Sequence, residues 1–336
     1  MSRQRSPLLE HRRRRVGCAY ADVLTVEQTY RSWEQASLQC GIDAYVARRS
    51  PGAQWFGISG ADRRFESLDS MLSGALRSGA YQLGRPDYVT AATGPAKTMD
   101  VVELGLVATT APDGTPIAIG VQNTDPYDGQ CVLTIFARDR TTAGEVRDEV
   151  ERLKDEHDVL RGQFASFSAS EHNENELVAF LPRHTLAATD VILPDGHLEG
   201  IEAHIVGIAE QAERLIAAGQ HLKRGLLLHG PPGVGKTHTV RYLIGRLSDY
   251  TVIQLTGPAM RFLEYAVALA RKLQPAVIVF EDVDLVAEDR ELHDSSPLLF
   301  SLLNAMDGLA EDANVVMVLT PSSPSPTRIS RRPWPE

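Results

Sequence analysis

A glycine-rich segment in the C-terminal half of the chain has the residue types and spacing needed to hold a phosphate chain. It reads Gly230, Pro231, Pro232, Gly233, Val234, Gly235, Lys236 and Thr237, which fits the pattern G-x-x-x-x-G-K-[ST]. In such a loop, glycines let backbone N–H groups turn inward around the β-phosphate. The lysine reaches the β/γ oxygens and the hydroxyl binds Mg²⁺. We therefore expect residues 230–237, with His238 directly after them, to bind ATP and Mg²⁺.

The flanks of this loop have the character that a phosphate-binding loop requires. An apolar run of Leu226, Leu227 and Leu228 precedes it and predicts a buried parallel strand. Apolar residues at helical spacing follow it and predict a helix: Val240, Leu243, Ile244 and Leu247. A helix in this position points its positive N-terminal end at the phosphates. The alternative, a chance glycine-rich turn, is disfavoured because both flanks are present.

A second apolar run ends in carboxylates. Residues 276–280 read as a buried strand, and Glu281, Asp282, Val283 and Asp284 follow them. A phosphate-loop enzyme needs a carboxylate at the tip of a neighbouring strand to place the metal and to orient or deprotonate water. A solvated acidic turn is the alternative. The apolar strand, some forty residues after the loop, favours the catalytic interpretation.

These motifs together resemble the AAA family of ATPases. The resemblance covers about residues 190–320, and its elements are the Gly-Pro-Pro-Gly loop, the strand with its acids, and Leu302-Leu303-Asn304-Ala305-Met306-Asp307-Gly308. Most of the family has Asp-Glu where this chain has Glu281 and Asp282; the AAA proteins that translocate the folded Rieske protein share the order seen here. By position the resemblance implies that Glu281 binds the metal with Thr237 and that Asp282 is the catalytic base, with Lys236 stabilising charge. The reversed order leaves an exchange of the two acidic roles open.

The resemblance implies a parallel sheet with helices on both faces, an α/β P-loop NTPase core, in the strand order 5-1-4-3-2. It also implies a hexameric homo-oligomer. Two departures stand out: residues 259–273 predict one helix where the family carries a pore loop as well, and the chain turns rich in Pro, Ser and Arg after residue 320. We expect the core to be incomplete, the first strand to be an exposed edge, and ATP turnover and hexamer formation to be impaired.

Composition bounds the remaining possibilities. A length of 336 residues and 43% hydrophobic content suit about two domains. A net charge of −10 makes nucleic acid an unexpected partner, and no apolar run approaches membrane-spanning length. Cys18, Cys40 and Cys131 are isolated, which is typical of reduced thiols in a cytoplasmic protein.

The predicted domain organisation has five parts. These are a basic disordered tail (1–19), a small α+β domain of unknown role (20–180), a linker (181–196), the incomplete ATPase core (197–320) and a disordered tail (321–336). In the α+β domain we expect helices at 25–39, 63–78 and 144–163, the last with a capping box of Thr142 and Glu145, and a hairpin around Asp113-Gly114. A further helix is expected at 197–218.

The function that this pattern predicts is ATP binding and Mg²⁺-dependent ATP hydrolysis, coupled to the remodelling or regulation of an unknown protein client. A non-hydrolysing nucleotide-binding protein, or a decayed fragment of an AAA ATPase, is the alternative. A P-loop kinase for a small molecule is a third and weaker one, because the sequence offers no lid arginines.

Overall fold

The computed structural model describes residues 23–60, 63, 66–77, 81–123, 130–167, 178–281 and 313–321. The chain divides into two compact units, one ending at Val159 and the other beginning at Leu160. Among the described residues, none of the helices is both long and apolar enough to cross a bilayer. The predicted tails, apart from Pro321, lie outside the described residues, as does the predicted helix end at residues 302–309.

An antiparallel sheet forms the centre of the N-terminal unit. Its strands are β1 (Leu24–Arg31), β2 (Trp55–Ser59), β3 (Gln82–Gly84), β4 (Asp87–Gly94), β5 (Lys97–Thr110), β6 (Pro116–Asn123) and β7 (Gln130–Ala137). They lie in the order β1-β7-β6-β5-β2-β3, with β4 paired to β5. The predicted hairpin is the β5–β6 turn, where Gly114 has a φ of 85° that glycine adopts without strain.

Helices cover both faces of this sheet. Helices α1 (Gln35–Arg49) and α3 (Arg140–Glu156) pack on one face through a cluster that includes Leu38, Ile42, Val146 and Val150. Helix α2 (Leu68–Arg77) packs on another cluster with Met71 and Leu72 against Ile58 and Phe136. The N-terminal unit is therefore a layered α+β structure.

Three sequence predictions in this unit were wrong. Residues 25–39 are not one helix: β1 pairs with β7 along its whole length, a short 3₁₀ turn (Ser32–Glu34) follows, and α1 begins at Gln35. From Val26 to Arg31, half-buried or buried residues alternate with exposed ones, which fits a strand. The capping box was also misplaced, because Asp139 caps α3 by accepting the Thr142 N–H at 2.9 Å. Helix α3 ends at Glu156, not at residue 163.

A mostly parallel sheet forms the centre of the C-terminal unit. Its strands are β8 (Phe164–Phe167), β9 (Val178–Phe180), β10 (Arg224–Leu227), β11 (Thr251–Thr256), β12 (Ala276–Glu281) and β13 (Val315–Thr320), in the order β10-β13-β12-β11-β8-β9. Among the described strands of this sheet, only β8 and β9 pair in an antiparallel way. The first four strands in this order match the 1-4-3-2 part of the expected sheet, and β10 is an edge among the described strands, with Leu227 53% exposed.

The sheet extends beyond the region in which the sequence predicted the ATPase core. Residues 160–180, assigned from the sequence to the N-terminal domain, contribute β8 and β9, because Phe164 and Ala165 pair with Val252 and Ile253 of β11. Residues 181–196, predicted as a linker, pack on the core of the C-terminal unit, where Val191 is buried. The boundary between the units thus falls some twenty residues earlier than the sequence suggested.

Five helices of the C-terminal unit lie within the described residues: α4 (His197–Glu202), α5 (Ile208–Glu210), α6 (Ala212–Ala217), α7 (Lys236–Arg246) and α8 (Leu263–Lys272). The single helix predicted at 197–218 is interrupted by a π-helical segment (Ala203–Gly207), and Gly200 and Gly207 lower helix propensity there. The helix predicted at 259–273 begins as a 3₁₀ segment (Gly257–Phe262). Tyr265, on α8, lies against Phe167 with ring centroids 6.1 Å apart.

Candidate functional site

The glycine-rich loop joins the end of β10 to the start of α7. Gly233 and Gly235 have φ angles of 85° and 93°, in the left-handed region that favours glycine. A Cβ at either position would meet nothing within 4 Å, so backbone conformation and not lack of space selects glycine there. Gly235 is the N-cap of α7, and its carbonyl accepts the Thr239 N–H at 2.8 Å and the Thr239 hydroxyl at 3.1 Å. The loop therefore delivers the chain directly into a helix whose first N–H groups face the loop.

Lys236 turns its side chain back into this loop. Its ammonium donates to the carbonyl of Gly230 at 2.7 Å and to that of Pro231 at 3.2 Å. The side chain is half-buried, whereas Thr237 and His238, on the first turn of α7, are exposed. The predicted phosphate-binding residues thus lie together, with a cation held at the concave side of the loop.

Glu281 is the last residue of β12. It pairs with Thr256 of β11 on one side and with Thr320 of β13 on the other. Its carboxylate accepts a hydrogen bond of 2.6 Å from the amide Nε2 of Gln254. Asp282, the predicted catalytic base, lies outside the described residues, as do Val283 and Asp284.

A cavity of about 220 Å³ lies beside α7 and brings the predicted metal ligands together. Thr237, Glu281 and Gln254 all line it. Helix α7 contributes one face at helical spacing, and β8 with the segment after β9 contributes the rest; these residues are Val240, Arg241, Ile244, Phe164, Leu181, Pro182 and His184. The hydroxyl and carboxylate oxygens that Mg²⁺ prefers as ligands are therefore present on one cavity.

No group of three or more His, Cys, Asp or Glu side chains could hold a metal within the described part of the chain. Mg²⁺ is commonly bound through one or two carboxylates plus substrate phosphates. The oxygen donors of Thr237 and Glu281 and the cation of Lys236 are the groups such a site requires.

Arg183 fixes the segment that walls this cavity. Its guanidinium donates to the carbonyls of Ile244 at 2.9 Å and Leu247 at 3.1 Å, at the C-terminal end of α7. It also donates to the carbonyls of Gly162, at 3.3 Å, and Tyr250. Burial lowers the pKa of Arg183 below its ordinary value. A cation at a helix C-terminus is favoured by the helix dipole.

Sequence reasoning missed this wall and the Gln254–Glu281 pair. Phe164 and His184 were assigned to other domains, and a four-residue strand such as β8 leaves only a short apolar run as a signal. Gln254 was not singled out from the sequence, although a polar side chain in an otherwise apolar strand is a signal in principle.

Comparison with known proteins shows which proteins this part of the chain is similar to. Residues 226–331 match the model of the family described as ATPase family associated with various cellular activities (AAA). The chain is 32% identical over 144 residues to ATPase family gene 2 protein of Saccharomyces cerevisiae, which covers 39% of this chain and 18% of that protein. It is 29% identical over 150 residues to mitochondrial chaperone BCS1 of Bos taurus, and the match covers 41% of this chain and 36% of that protein.

A third relative is the 26S proteasome regulatory subunit 6B homolog of Schizosaccharomyces pombe. The two are 26% identical over 182 residues, covering 45% of this chain and 46% of the relative. The chain therefore spans less than half the length of each of these relatives.

Proposed function

Since the chain carries an ATPase domain of the AAA family, we propose that its C-terminal unit binds ATP with Mg²⁺ and hydrolyses it to ADP and phosphate. The observation that supports this most directly is the position of Lys236. Its ammonium lies within the glycine loop, on the carbonyls of Gly230 and Pro231, at the first residue of α7. A cation held on loop carbonyls at a helix N-terminus is suited to transferring its hydrogen bonds to phosphate oxygens.

Each residue of the proposed site has a distinct task. The backbone N–H groups of the loop and of the first turn of α7 bind phosphate oxygens, and Lys236 stabilises the charge that develops on them. Thr237 and Glu281 hold Mg²⁺, which when bound neutralises charge on the β- and γ-phosphates. We assign the orientation of the attacking water to Asp282, which follows Glu281 directly in the sequence.

We further propose, from its isolated cysteines, that the protein is cytoplasmic. On the family resemblance, we propose that it works as an assembly of several copies and acts on a protein client. Molecular mass measured by light scattering, with and without ATP and Mg²⁺, tests the assembly. A monomer under both conditions would contradict it.

The test of the proposed function is a titration of a fluorescent ATP analogue against the full chain and its Lys236→Ala variant. Charge-assisted hydrogen bonds contribute about 1.5–3 kcal/mol each, so the variant should lose at least about tenfold in affinity. Lys272→Ala is the matched control, because Lys272 ends α8 and does not line the cavity described above. Equal affinities for the Lys236→Ala variant and the unaltered chain would refute the phosphate-loop assignment.

A second measurement separates hydrolysis from binding. Phosphate release by the unaltered chain and by Asp282→Asn should differ strongly, while both bind the analogue. Binding without phosphate release from either protein would instead favour a non-hydrolysing nucleotide-binding protein.

A further inference from the structure

Gln254 stands out in the parallel sheet because it is a polar side chain among apolar ones. Its strand β11 carries Val252, Ile253 and Leu255, all buried, whereas Gln254 is half-buried. Its amide donates to Glu281 at 2.6 Å, a short bond of the kind formed with a charged acceptor. The packing of the sheet does not by itself explain why a half-buried amide is hydrogen-bonded to a carboxylate.

The register of the sheet explains why these two side chains meet. Gln254 lies opposite Val279, and Glu281 lies two residues further along β12, opposite Thr256. Because side chains alternate along a strand, Gln254, Val279 and Glu281 share one face. Val279 belongs to the cluster that packs against α7, so the pair lies on the α7 side of the sheet. Diagonal neighbours of this type are within reach of long side chains.

Thr237 lies on the same side. It lines the cavity that Gln254 and Glu281 also line, at the N-terminal end of α7. The Glu281 carboxylate that Gln254 holds therefore lies on the same cavity as the Thr237 hydroxyl. Glu281 has one more methylene than the Asp that the AAA resemblance leads one to expect there, and so has more rotamer freedom to lose when it is ordered. The hydrogen bond from the Gln254 amide already restricts that rotamer freedom before Mg²⁺ binds.

We propose that Gln254 is a positioning residue for the Mg²⁺ site: its hydrogen bond fixes the rotamer in which the Glu281 carboxylate lies on the cavity that Thr237 also lines. The inference rests on the proposed function, since it assumes that Glu281 takes Mg²⁺ together with a bound nucleotide. Gln254 acts only through Glu281. It carries no charge, so it orients the carboxylate without neutralising it.

The variant that tests this is Gln254→Leu, which removes the amide and keeps a similar volume. The measurement is the affinity for a fluorescent ATP analogue at increasing Mg²⁺ and, separately, in EDTA. Loss of a group that orients a metal ligand typically costs 10–100-fold in metal affinity, so half-saturating Mg²⁺ should rise by about tenfold or more. The affinity in EDTA should stay unchanged, because the phosphate loop is untouched.

The matched control is Gln163→Leu, another half-buried glutamine of the same unit, which precedes β8 and does not line the cavity. It should leave the Mg²⁺ dependence as it is. Gln254→Asn is a second variant that keeps the amide if the leucine variant does not fold. Its side chain is one methylene shorter and loses the 2.6 Å contact with Glu281, so it should also raise half-saturating Mg²⁺.

A cycle with Glu281→Gln separates positioning from a general structural effect. If Gln254 acts through Glu281, Gln254→Leu should change nothing further in the Glu281→Gln background. An equal rise in both backgrounds, or no rise in the unaltered background, would overturn the inference while leaving the proposed function intact. Failure of the unaltered chain to bind the analogue at all would overturn the proposed function, and this inference with it.

Discussion

Arg183 connects four carbonyl oxygens of the C-terminal unit, and its removal should loosen the wall beside the proposed Mg²⁺ site. The bonds to Ile244 and Leu247, at 2.9 and 3.1 Å, have good lengths, and those to Gly162 and Tyr250 complete the set. Substitution of Arg183 by Met keeps the aliphatic stem and removes every donor. We therefore expect a local loss of stability without a large cavity.

The magnitude follows from the bonds. Two well-formed hydrogen bonds to a charged donor contribute about 1.5–3 kcal/mol each, but the desolvation of the guanidinium that lowers its pKa opposes part of that gain. Water can also reach some of the released carbonyls, since the side chain is only half-buried. We expect a net loss of about 2–3 kcal/mol for Arg183→Met. Arg183→Lys should lose less, because an ammonium keeps the charge but cannot span four acceptors.

Hydrogen exchange measured by mass spectrometry localises this loss. In the regime where exchange reports opening equilibria, about 2–3 kcal/mol corresponds to a rate increase of roughly 30- to 150-fold in peptides covering residues 240–256. Peptides of β5 in the N-terminal unit serve as an internal reference. Arg271→Met is the matched control, since Arg271 is exposed on α8 and does not line the cavity. Unchanged exchange in residues 240–256 of Arg183→Met would refute the assignment of Arg183 as the residue that fixes the wall.

Two further predictions concern the N-terminal unit, read by the fluorescence of Trp55 during denaturation. Gly41→Ala should destabilise it, because a Cβ at Gly41 would lie 2.7 Å from the backbone nitrogen of Lys154 and 3.0 Å from the backbone oxygen of Val150. The crowding costs about 1–3 kcal/mol, which exceeds the gain of about 1 kcal/mol in helix propensity. An unchanged or higher denaturation midpoint would contradict this. Burial raises the pKa of Cys131 from 9.0 to about 12, so the folded state holds the thiol proton more tightly than the unfolded state does. Below about pH 9 this makes no difference, and between about pH 9 and 12 the unaltered protein should lose up to about 1.4 kcal/mol per pH unit relative to Cys131→Ala. A difference between the two proteins that is constant across that range would show that the thiol is not held protonated.

Residues whose neighbours are close in sequence could be predicted well. The strands β12 and β13 appear as apolar runs because a parallel strand buried on both faces carries apolar side chains on both. The glycine loop is equally local, since its strand, turn and helix are consecutive.

Elements that depend on distant partners were the ones missed. Strand β1 contains Thr25, Glu27 and Gln28, whose types are compatible with a helix, and only pairing with β7, some hundred residues later, fixes it as a strand. The four residues of β8 are too few to give a periodicity, and their partner β11 lies almost ninety residues further on. Tertiary context overrides local propensity in both cases.

The proposed metal site shows the same division at the level of single side chains. That Thr237 and Glu281 should lie near each other follows from motifs that each belong to a short stretch of chain. That Gln254 should bond Glu281 follows only from the register in which β11 meets β12, and a shift of one residue would turn Gln254 to the opposite face of the sheet. A side chain whose task depends on register has no local signature, so its role becomes visible only when two strands are paired. Residues that position a metal ligand are for this reason harder to predict from sequence than the residues that bind the metal themselves.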